Sequence, residues 1–590
     1  MTSTRTTARA RSVVATALVL GLAALGVVSF PLAASATTYA VTSTADAGPN
    51  TLRAAVILAD ANAGPDTITF ALPANSTIVL LSTINITEGL TIDGSGAPGL
   101  VVTGSGGSYL LLTFAPATPN QDFSSNDIIF DGTAGGGAPA WQGVALYMSI
   151  GAGNDVVRSL TLTRITGKNI NSGAFEGPAL YVFATQANGS ITVSDSTFSN
   201  NSSHAASPGG GGALFFRGTH GLVTVSGSTF TGNSALSGGA IFVDGTGGGV
   251  PDLTVMSSTF TNNTATGAGA QASPDGDGGA VFANVLGTVV ISGSTFTGNT
   301  TSQDGGAVAI AALQVAADGV TMTSSSFLSN HAVTGGGAFW SATTVGDISV
   351  TGSTFSSNGL SDGDGFTPLG NSIQLTGTGN HGLTILNSTL DEAAAAFSSY
   401  AVAVNTTGTS PLSIAHSTIV GPGALAVDTL GGVTSAISHS ILWDLGAAND
   451  AVFVQSYGTN TFATSWNLSS GTNQPYLAAG AGNHFSVASF GLGVLANNGG
   501  PTLTRLPDDS SPAHNDGNPA IVGAPATDQR GLTRIVQTID IGAVEIQAPG
   551  LAATGITVTP RLPLTATLLI LLGALAVVYS RRRSAGAHRP

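Results

Sequence analysis

Apolar and polar residues alternate along short segments that recur through the middle of the chain. Alternation over about four to eight residues is typical of half-buried strands. Five segments with this pattern are residues 191–198, 222–230, 253–260, 289–296 and 348–355. A second short apolar segment follows, usually after Gly-Gly-Ala, at residues 214–216, 241–243, 281–282, 308–310 and 339–340. Since no sustained helical period occurs between residues 80 and 490, the pattern predicts a body built from short strands.

Each strand segment ends in a repeated phrase, in which a phenylalanine follows Ser-Thr (once Ser-Ser) and precedes an asparagine by three residues. The six pairs are Phe198 and Asn201, Phe230 and Asn233, Phe260 and Asn263, Phe296 and Asn299, Phe327 and Asn330, and Phe355 and Asn358. Successive phenylalanines lie 32, 30, 36, 31 and 28 residues apart. A near-constant period of this size indicates stacked structural units.

Short strands at regular spacing fit either a β-sandwich or propeller, or a parallel β-helix. The repeat favours the parallel β-helix, because equivalent residues of successive coils would then lie roughly 4.8 Å apart. We therefore expect the phenylalanines to form an internal column. We expect the asparagines to hydrogen-bond from coil to coil at a turn, as in the amide ladders of stacked sheets. The predicted fold is all-β, a single-stranded parallel β-helix over residues 76–490.

The repeated phrase resembles the polymorphic outer-membrane protein repeat of chlamydial surface proteins, which carries Phe-x-x-Asn and Gly-Gly-Ala followed by an aliphatic residue. The resemblance covers residues 191–360, with all six Phe-x-x-Asn units intact. It implies a right-handed parallel β-helix and an adhesin-like setting at a cell surface.

An open stack of coils needs caps at both ends. At the N-terminal end, residues 37–75, we expect a capping helix over residues 51–62 with Asn50 as its N-cap and an apolar face of Leu52, Ala55, Val56 and Ala59. Residues 52–55 resemble part of the Cys-Ser-Leu-Arg-Glu-Ala leader of bacterial β-helix surface proteins. Residues 491–546 resemble a choice-of-anchor module and form the predicted C-terminal cap. Its arginines and aspartates are interpreted as local ion pairs.

The amino-acid composition limits the functional classes to which this chain can belong. Charged residues make up 8 % of the chain, and no lysine or arginine occurs between Arg217 and Arg505. Residues 37–554 hold 8 basic and 31 acidic residues, a formal charge of −23. A nucleic-acid partner is excluded on this ground, because phosphate contacts need lysine and arginine. The absence of cysteine excludes disulfides and thiolate metal sites.

Both termini carry targeting patterns. Three arginines, an apolar run over residues 13–30 and Ala34-Ser35-Ala36 predict a signal peptide at residues 1–36; a retained anchor is the alternative. At the other end, residues 547–590 contain an apolar stretch at 562–579 and a basic tail. Preceding that stretch, Leu551, Ala552, Ala553, Thr554 and Gly555 resemble a Leu-Ala-x-Thr-Gly sorting signal of high-GC Gram-positive bacteria.

The sorting-signal resemblance implies that a sortase cleaves after Thr554 and joins the chain to peptidoglycan. The C-terminal helix would hold the chain in the membrane before that processing. A simple membrane tail anchor is the alternative. Both interpretations place residues 37–546 outside the cell.

Candidates for chemistry are few. Parallel β-helices include polysaccharide lyases and glycoside hydrolases, but the central coils have no basic residue for a lyase. The only basic residues left that could serve such a lyase are Arg158, Arg164, Lys168 and Arg217. The carboxylate pairs Asp275 and Asp277, and Asp362 and Asp364, lie in Gly-Asp-Gly runs that read as exposed turns, with Ca²⁺ ligation as an alternative. No catalytic residue and no cofactor other than this Ca²⁺ is assigned, and the scattered histidines predict no metal site.

The sequence therefore predicts a cell-surface-anchored β-helix that displays loops, such as residues 202–210 and 264–277, for adhesion to a glycan, a host surface or a neighbouring cell. A polysaccharide-acting lyase or hydrolase on the same fold, and a passive surface spacer, are the alternatives.

Overall fold

The computed structural model describes residues 35–547 apart from short gaps. The longer gaps are 135–140, 150–156, 184–188, 205–209, 268–275, 362–368, 393–399, 446–451, 455–460 and 472–476. The sorting signal, the apolar stretch at 562–579 and nearly all of the predicted signal peptide lie outside the described residues.

Each coil of the chain passes through three sheets in turn. In the coil that starts at Ser190, one strand ends at Ser194, a left-handed corner at Asp195 (φ 50°) follows, and the chain enters the second sheet at Thr197. After a longer loop the chain enters the third sheet at Leu214. The next coil repeats this path, and strands of neighbouring coils pair in parallel, for example Ile191 with Val223.

The described strands divide into sheets as follows. Sheet 1 contains Thr38–Val41, Asp66–Phe70, Leu90–Asp93, Gln121–Asn126, Val157–Thr163, Ser190–Ser194, Gly221–Ser226, Pro251–Met256, Val289–Ser292, Gly319–Thr323, Asp347–Thr351, Leu383–Leu386, Leu412–Ala415, Thr434–Ser438 and Thr461–Ser465. Sheet 2 contains Thr77–Leu80, Val101–Gly104, Ile129–Asp131, Thr166–Lys168, Thr197–Ser199, Thr229–Thr231, Thr259–Thr261, Thr295–Thr297, Ser326–Leu328, Thr354–Ser356, Thr389–Asp391, Thr418–Gly421, Ile441–Asp444 and Leu468–Ser469.

Sheet 3 contains Ile84–Ile86, Leu112–Phe114, Leu146–Ser149, Leu180–Phe183, Leu214–Arg217, Ile241–Asp244, Val281–Asn284, Val308–Ile310, Phe339–Ser341, Gly370–Gly377, Tyr400–Thr406, Leu425–Thr429 and Val452–Val454. Sheet 4 is a short strip of Ser234–Ala235, Thr264–Ala265, Thr300–Thr301, His331–Ala332 and Gly359–Leu360. Two further pairs are Gly107–Ser108 with Trp141–Gln142, which is parallel, and Leu492–Ala496 with Thr504–Pro507, which is antiparallel. Single 3₁₀ turns occupy Gly94–Gly96 and Gly245–Gly247.

The predicted parallel β-helix is confirmed, and a right-handed path is consistent with it. Fifteen described strands in sheet 1 give fourteen steps of roughly 4.8 Å, so the stack is roughly 67 Å long. Its core is one continuous apolar cluster that runs from Val41 to Leu477. A core with this shape forms a stiff rod, because each coil is held by both of its neighbours.

The Gly-Gly-Ala phrase marks the corner that leads into sheet 3. Gly238 has φ 58°, a conformation that side chains rarely adopt. A Cβ on the following Gly239 would lie 2.2 Å from the carbonyl oxygen of Gly279 in the next coil. The two glycines therefore allow successive corners to stack at the spacing of the sheets.

The N-terminal helix is shorter than predicted and has a different cap. It covers Leu52–Asp60, and Thr51 is its N-cap, with Oγ1 accepting from the amide of Ala54. The prediction of Asn50 as the cap was wrong: Asn50 has φ 60°, and its carbonyl accepts from the amides of Thr42 and Ser43. The face formed by Leu52, Ala55, Val56 and Ala59 is buried as expected.

Residues 491–546, which we call the C-terminal strap, lie along the flank of the rod. Gln529 bridges two coils, since its Nε2 donates to the carbonyl of Ser353 (3.2 Å) and its Oε1 accepts from Thr389 (2.6 Å). The Thr418 hydroxyl accepts from the amide of Ala543 (3.1 Å), and the carbonyl of His439 accepts from Gly542 (2.8 Å). The strap thus connects four successive coils of the rod, which a cap on the last coil alone would not do.

Candidate functional site

The six phenylalanines of the repeat form one column inside the rod. Their rings stack with centroids 4.5–5.0 Å apart and with interplanar angles of 2–18°. Phe198 is 1 % exposed and the other five are fully buried. Because every ring repeats the position of the ring below, the column locks the register of sheet 2.

The six asparagines form a hydrogen-bonded ladder beside this column. Asn263 is representative: its Oδ1 accepts from the backbone amide (3.1 Å) and from the Nδ2 (2.9 Å) of Asn233. Its own Nδ2 donates to the carbonyl of Phe230 (3.0 Å) and to Oδ1 of Asn299 (2.9 Å). Each of the six residues is at most 1 % exposed and satisfies both of its side-chain donors, so the ladder is a structural element of the rod.

The ladder ends on a carboxyl group that sequence reasoning missed. Asn358, the last asparagine, donates to Oε1 of Glu392 (3.1 Å), and the hydroxyl of Ser372 donates to the same oxygen. Complete burial raises the pKa of Glu392 to about 8, so this group carries a proton at neutral pH. Glu392 stands two residues after Leu390, not three, and therefore falls outside the Phe-x-x-Asn spacing.

A second ladder is made by the serine of the phrase, for which the sequence analysis gave no role. Each backbone amide except that of the last serine donates to the Oγ of the equivalent serine in the next coil at 3.1–3.3 Å, as from Ser228 to Ser258. The amide of the last one, Ser440, donates to Oδ1 of Asn467 (3.0 Å). Each Oγ also donates to the carbonyl two residues earlier, as Ser228 does to Ser226 (2.8 Å). The column contains Ser196, Ser228, Ser258, Ser294, Ser325, Ser353, Ser388, Ser417 and Ser440. The constant serine two residues before each phenylalanine is the signal that could have revealed it.

Arg158, Arg164 and Lys168 are ion-paired to the preceding coil, whereas Nε of Arg217 lies 3.5 Å from Oδ2 of Asp244 in the next coil. Nε of Arg158 donates to Oδ1 of Asp122 (2.9 Å), and Nε of Arg164 donates to Oδ1 of Asp127 (2.7 Å). Lys168 lies 3.1 Å from Oδ2 of Asp131. Burial alone would raise the pKa of Asp122, but hydrogen bonds from Arg158 and Ser159 hold it below its usual value. Asp122 is therefore an ionised acceptor, and the same hydrogen bond raises the pKa of Arg158, which is protonated.

An open groove of about 520 Å³ lies on the outer face of sheet 1, beside the pair of Arg158 and Asp122. Its lining is Gly64, Pro65, Asp66, Glu88, Gly89, Leu90, Thr91, Asn120, Gln121, Asp122, Ser124 and Arg158. A volume of this size falls in the usual range of small-ligand sites. We take this groove, which we call the N-terminal groove, as the candidate functional site.

Three of the four sequence-predicted Ca²⁺ ligands lie outside the described residues, so Ca²⁺ ligation stays a prediction. Asp275, Asp362 and Asp364 fall in gaps of the description, and no group of three metal-binding side chains is found elsewhere in it. Asp277 is 1 % exposed, so the prediction of an exposed turn was wrong there. Its carboxylate accepts from the amide of Asp304 (3.3 Å), because the turn stacks against the next coil instead of facing water.

Charged groups of the strap pack in a buried cluster. Arg534 is fully buried and donates to the carbonyl of Gly542, near the carboxylates of Asp528, Asp540 and Glu545. Burial lowers the pKa of Arg534 to about 10 and raises that of Glu545 to about 7. A second arginine, Arg505, pairs with Asp391 of the rod (2.7 Å) and not with an acidic residue of its own segment. Pairing across the interface therefore supplements the local pairing that the sequence indicated.

Two histidines of the rod lie beneath the strap. His416 and His439 occupy equivalent left-handed corners of successive coils, and their rings stack 4.9 Å apart. Both are 4 % exposed, and Nε2 of His439 accepts from the amide of Asn518 (3.2 Å). Burial, followed by the charge of Arg534, lowers the pKa of His439 to about 4 and that of His416 to about 2. These imidazoles are neutral at physiological pH and pack as part of the interface.

The described residues include no helix with the length and apolar character needed to span a bilayer. The anchor residues Leu551, Ala552, Ala553, Thr554 and Gly555 lie outside them. The sorting signal and the signal peptide therefore stay predictions.

Comparison with known proteins identifies the repeat. Residues 195–217, 227–244 and 257–284 match the family model of the Chlamydia polymorphic membrane protein repeat. These stretches contain the phrases with Phe198, Phe230 and Phe260, so the repeat resemblance is confirmed for them. No curated protein sequence matches the chain at a significant level.

Two solved structures are similar to this chain. The first is PfbA, a surface adhesin of Streptococcus pneumoniae, with 11 % identity and a TM-score of 0.34 over 80 % of this chain and 100 % of that one. The second is tailspike protein 3 of bacteriophage CBA120, with 11 % identity and a TM-score of 0.26 over 75 % of this chain. The match spans 58 % of the tailspike chain.

Proposed function

We propose that this protein is an adhesin-like rod that is displayed at the cell surface and binds a glycan or another cell surface. The observation that carries the proposal is the single stack of coils, roughly 67 Å long, with two buried ladders and a side strap. Such a rod holds loops and grooves at fixed positions, which is how rigid scaffolds present recognition sites. The match to a repeat named for membrane proteins supports the same setting.

Anchoring is the finer part of the proposal. A signal peptide at residues 1–36 would export the chain, and sortase would cleave after Thr554 and join it to peptidoglycan. The proposal rests on the order of sorting motif, apolar stretch and arginines in the sequence. A retained membrane helix at 562–579 is the alternative anchor.

Surface display and adhesion can be tested together in a Gram-positive host that expresses the full chain. Cells should bind an antibody against residues 37–546, and they should adhere to an immobilised glycan panel more than cells without the gene. Thr554→Ala should shift the protein from the wall fraction to the membrane or the medium. If antibody-positive cells adhere to no surface on the panel, the adhesin-like role fails and the spacer and enzyme alternatives remain.

An enzyme acting on polysaccharide is the second candidate, because the N-terminal groove contains carboxylates and an arginine. The ion pair disfavours it, since Arg158 is protonated and held by Asp122 and so cannot act as the base of a lyase. The lowered pKa of Asp122 also makes this group a poor proton donor. Release of reducing ends or unsaturated sugars by the purified chain would establish the enzyme instead.

A further inference from the structure

The N-terminal groove is built from polar groups. Eight of its twelve lining residues are polar or charged, and the side chain of Leu90 is buried in the core with 3 % exposure. A groove lined mainly by polar and charged residues does not favour a lipid or an apolar peptide. It favours a ligand that brings many hydroxyl groups, each of which can donate and accept a hydrogen bond.

The polar side chains of the groove are already ordered by hydrogen bonds. Gln121 donates to Thr118 (2.7 Å) and accepts from the amide of Gly89 (2.7 Å). A Cβ on Gly89 would lie 2.7 Å from that same Gln121 oxygen, so a glycine is needed for the contact. Such fixed partners lower the conformational entropy that binding would otherwise cost.

The ion pair in the groove retains hydrogen-bond donors and acceptors that a ligand could use. Nε and Nη2 of Arg158 donate to Asp122, and Oδ1 of Asp122 also accepts from Ser159 (2.7 Å). The side chains of Arg158 and Asp122 are 59 % and 41 % exposed, which leaves the Nη1 hydrogens and part of the carboxylate within reach. An adjacent donor and acceptor of this kind match two neighbouring hydroxyls of a pyranose ring.

Charge selects among sugars. Asp66, Glu88 and Asp122 outnumber Arg158, so the groove carries a formal charge of −2 within a strongly acidic body. Uronate, sulfate or phosphate groups would be repelled there. We propose that the N-terminal groove binds a glycan of uncharged or amino-substituted pyranoses and discriminates against acidic polysaccharides. This assignment rests on the proposed adhesin-like function and names its ligand class and site.

Isothermal titration of the purified chain with hexasaccharides of mannose, of glucosamine and of galacturonate tests the assignment. The mannose or the glucosamine probe should bind, and the galacturonate probe should not. Arg158→Ala should weaken the binding at least tenfold. Arg164→Ala is the matched control: it removes an arginine of similar exposure (53 %) that is paired with a carboxylate outside the groove, and it should change the affinity less than twofold. Glu88→Gln should narrow the discrimination against galacturonate.

Preference for galacturonate, binding to none of the three probes, or equal effects of the two arginine variants would overturn the groove assignment. An adhesion assay on cells that display the Arg158→Ala chain distinguishes failure of the groove assignment from failure of the proposed function. Adhesion that persists in this variant would leave the adhesin role standing at another site. If cells that display the unmodified chain do not adhere at all, the proposed adhesin-like function is refuted as well.

Discussion

Replacing Asn263 by alanine tests whether the amide ladder holds the coils together. The change removes four buried hydrogen bonds and leaves two N–H groups of Asn233 without an acceptor, the backbone amide and one of the two on Nδ2. The other N–H of Nδ2 still donates to the carbonyl of Phe198 (3.0 Å). An unsatisfied buried polar group costs about 1–3 kcal/mol, so the two donors alone cost about 4 kcal/mol. A loss of this size corresponds to roughly a thousandfold fall in the equilibrium constant for local closure.

Amide hydrogen exchange measures this change at the group concerned. The amide of Asn233 should lose about three decades of protection, and neighbouring amides of sheet 2 should lose less. Asn262→Gly is the matched control, because Asn262 is exposed, has φ 53° and aligns with Gly232 and Gly298 of the adjacent coils. If Asn263→Ala lowers protection no more than this control does, the ladder does not stabilise the rod as argued.

Three further predictions concern the core and the strap. Phe260→Ala should destabilise the rod by about 4 kcal/mol in denaturant unfolding because it opens a cavity in the ring column, and Phe260→Leu should cost clearly less. Gln529→Ala should speed limited proteolysis of residues 491–546 and leave cleavage of the central coils unchanged; equal rates would contradict its bridging role. His416 and His439 are neutral while the strap is docked. Below pH 6.5, protons bind these histidines more strongly in the undocked state, so each histidine should weaken strap docking by up to about 1.4 kcal/mol per pH unit. Converting both histidines to asparagine should flatten the proteolysis profile between pH 6.5 and 4 relative to the original chain, in which Glu545 acts in the opposite sense.

The repeat made the inner part of the fold predictable. Phe260 and Asn263 recur at nearly fixed spacing, and parallel stacking then places every copy next to the previous one. Burial of Leu52 and Val56 followed from helical spacing in the same way. Such features depend on local periods that a sequence displays directly.

Features without a period escaped prediction. The contact of Gln529 with Ser353 joins residues 176 positions apart, and no local pattern reports it. Glu392 accepts the last hydrogen bond of the amide ladder, although its position does not fit the Phe-x-x-Asn spacing. The N-terminal groove combines residues from four successive strands of sheet 1 and the corners that precede them, so its existence depends on registers that only the folded chain defines.

The strap changes how the end of the rod can come apart. A linear array of repeats ordinarily frays from its terminus one unit at a time. Here Gln529, Ala543 and Gly542 tie four coils to a single returning segment. Tension applied beyond residue 546 would therefore load several coils in shear instead of peeling off the outermost one.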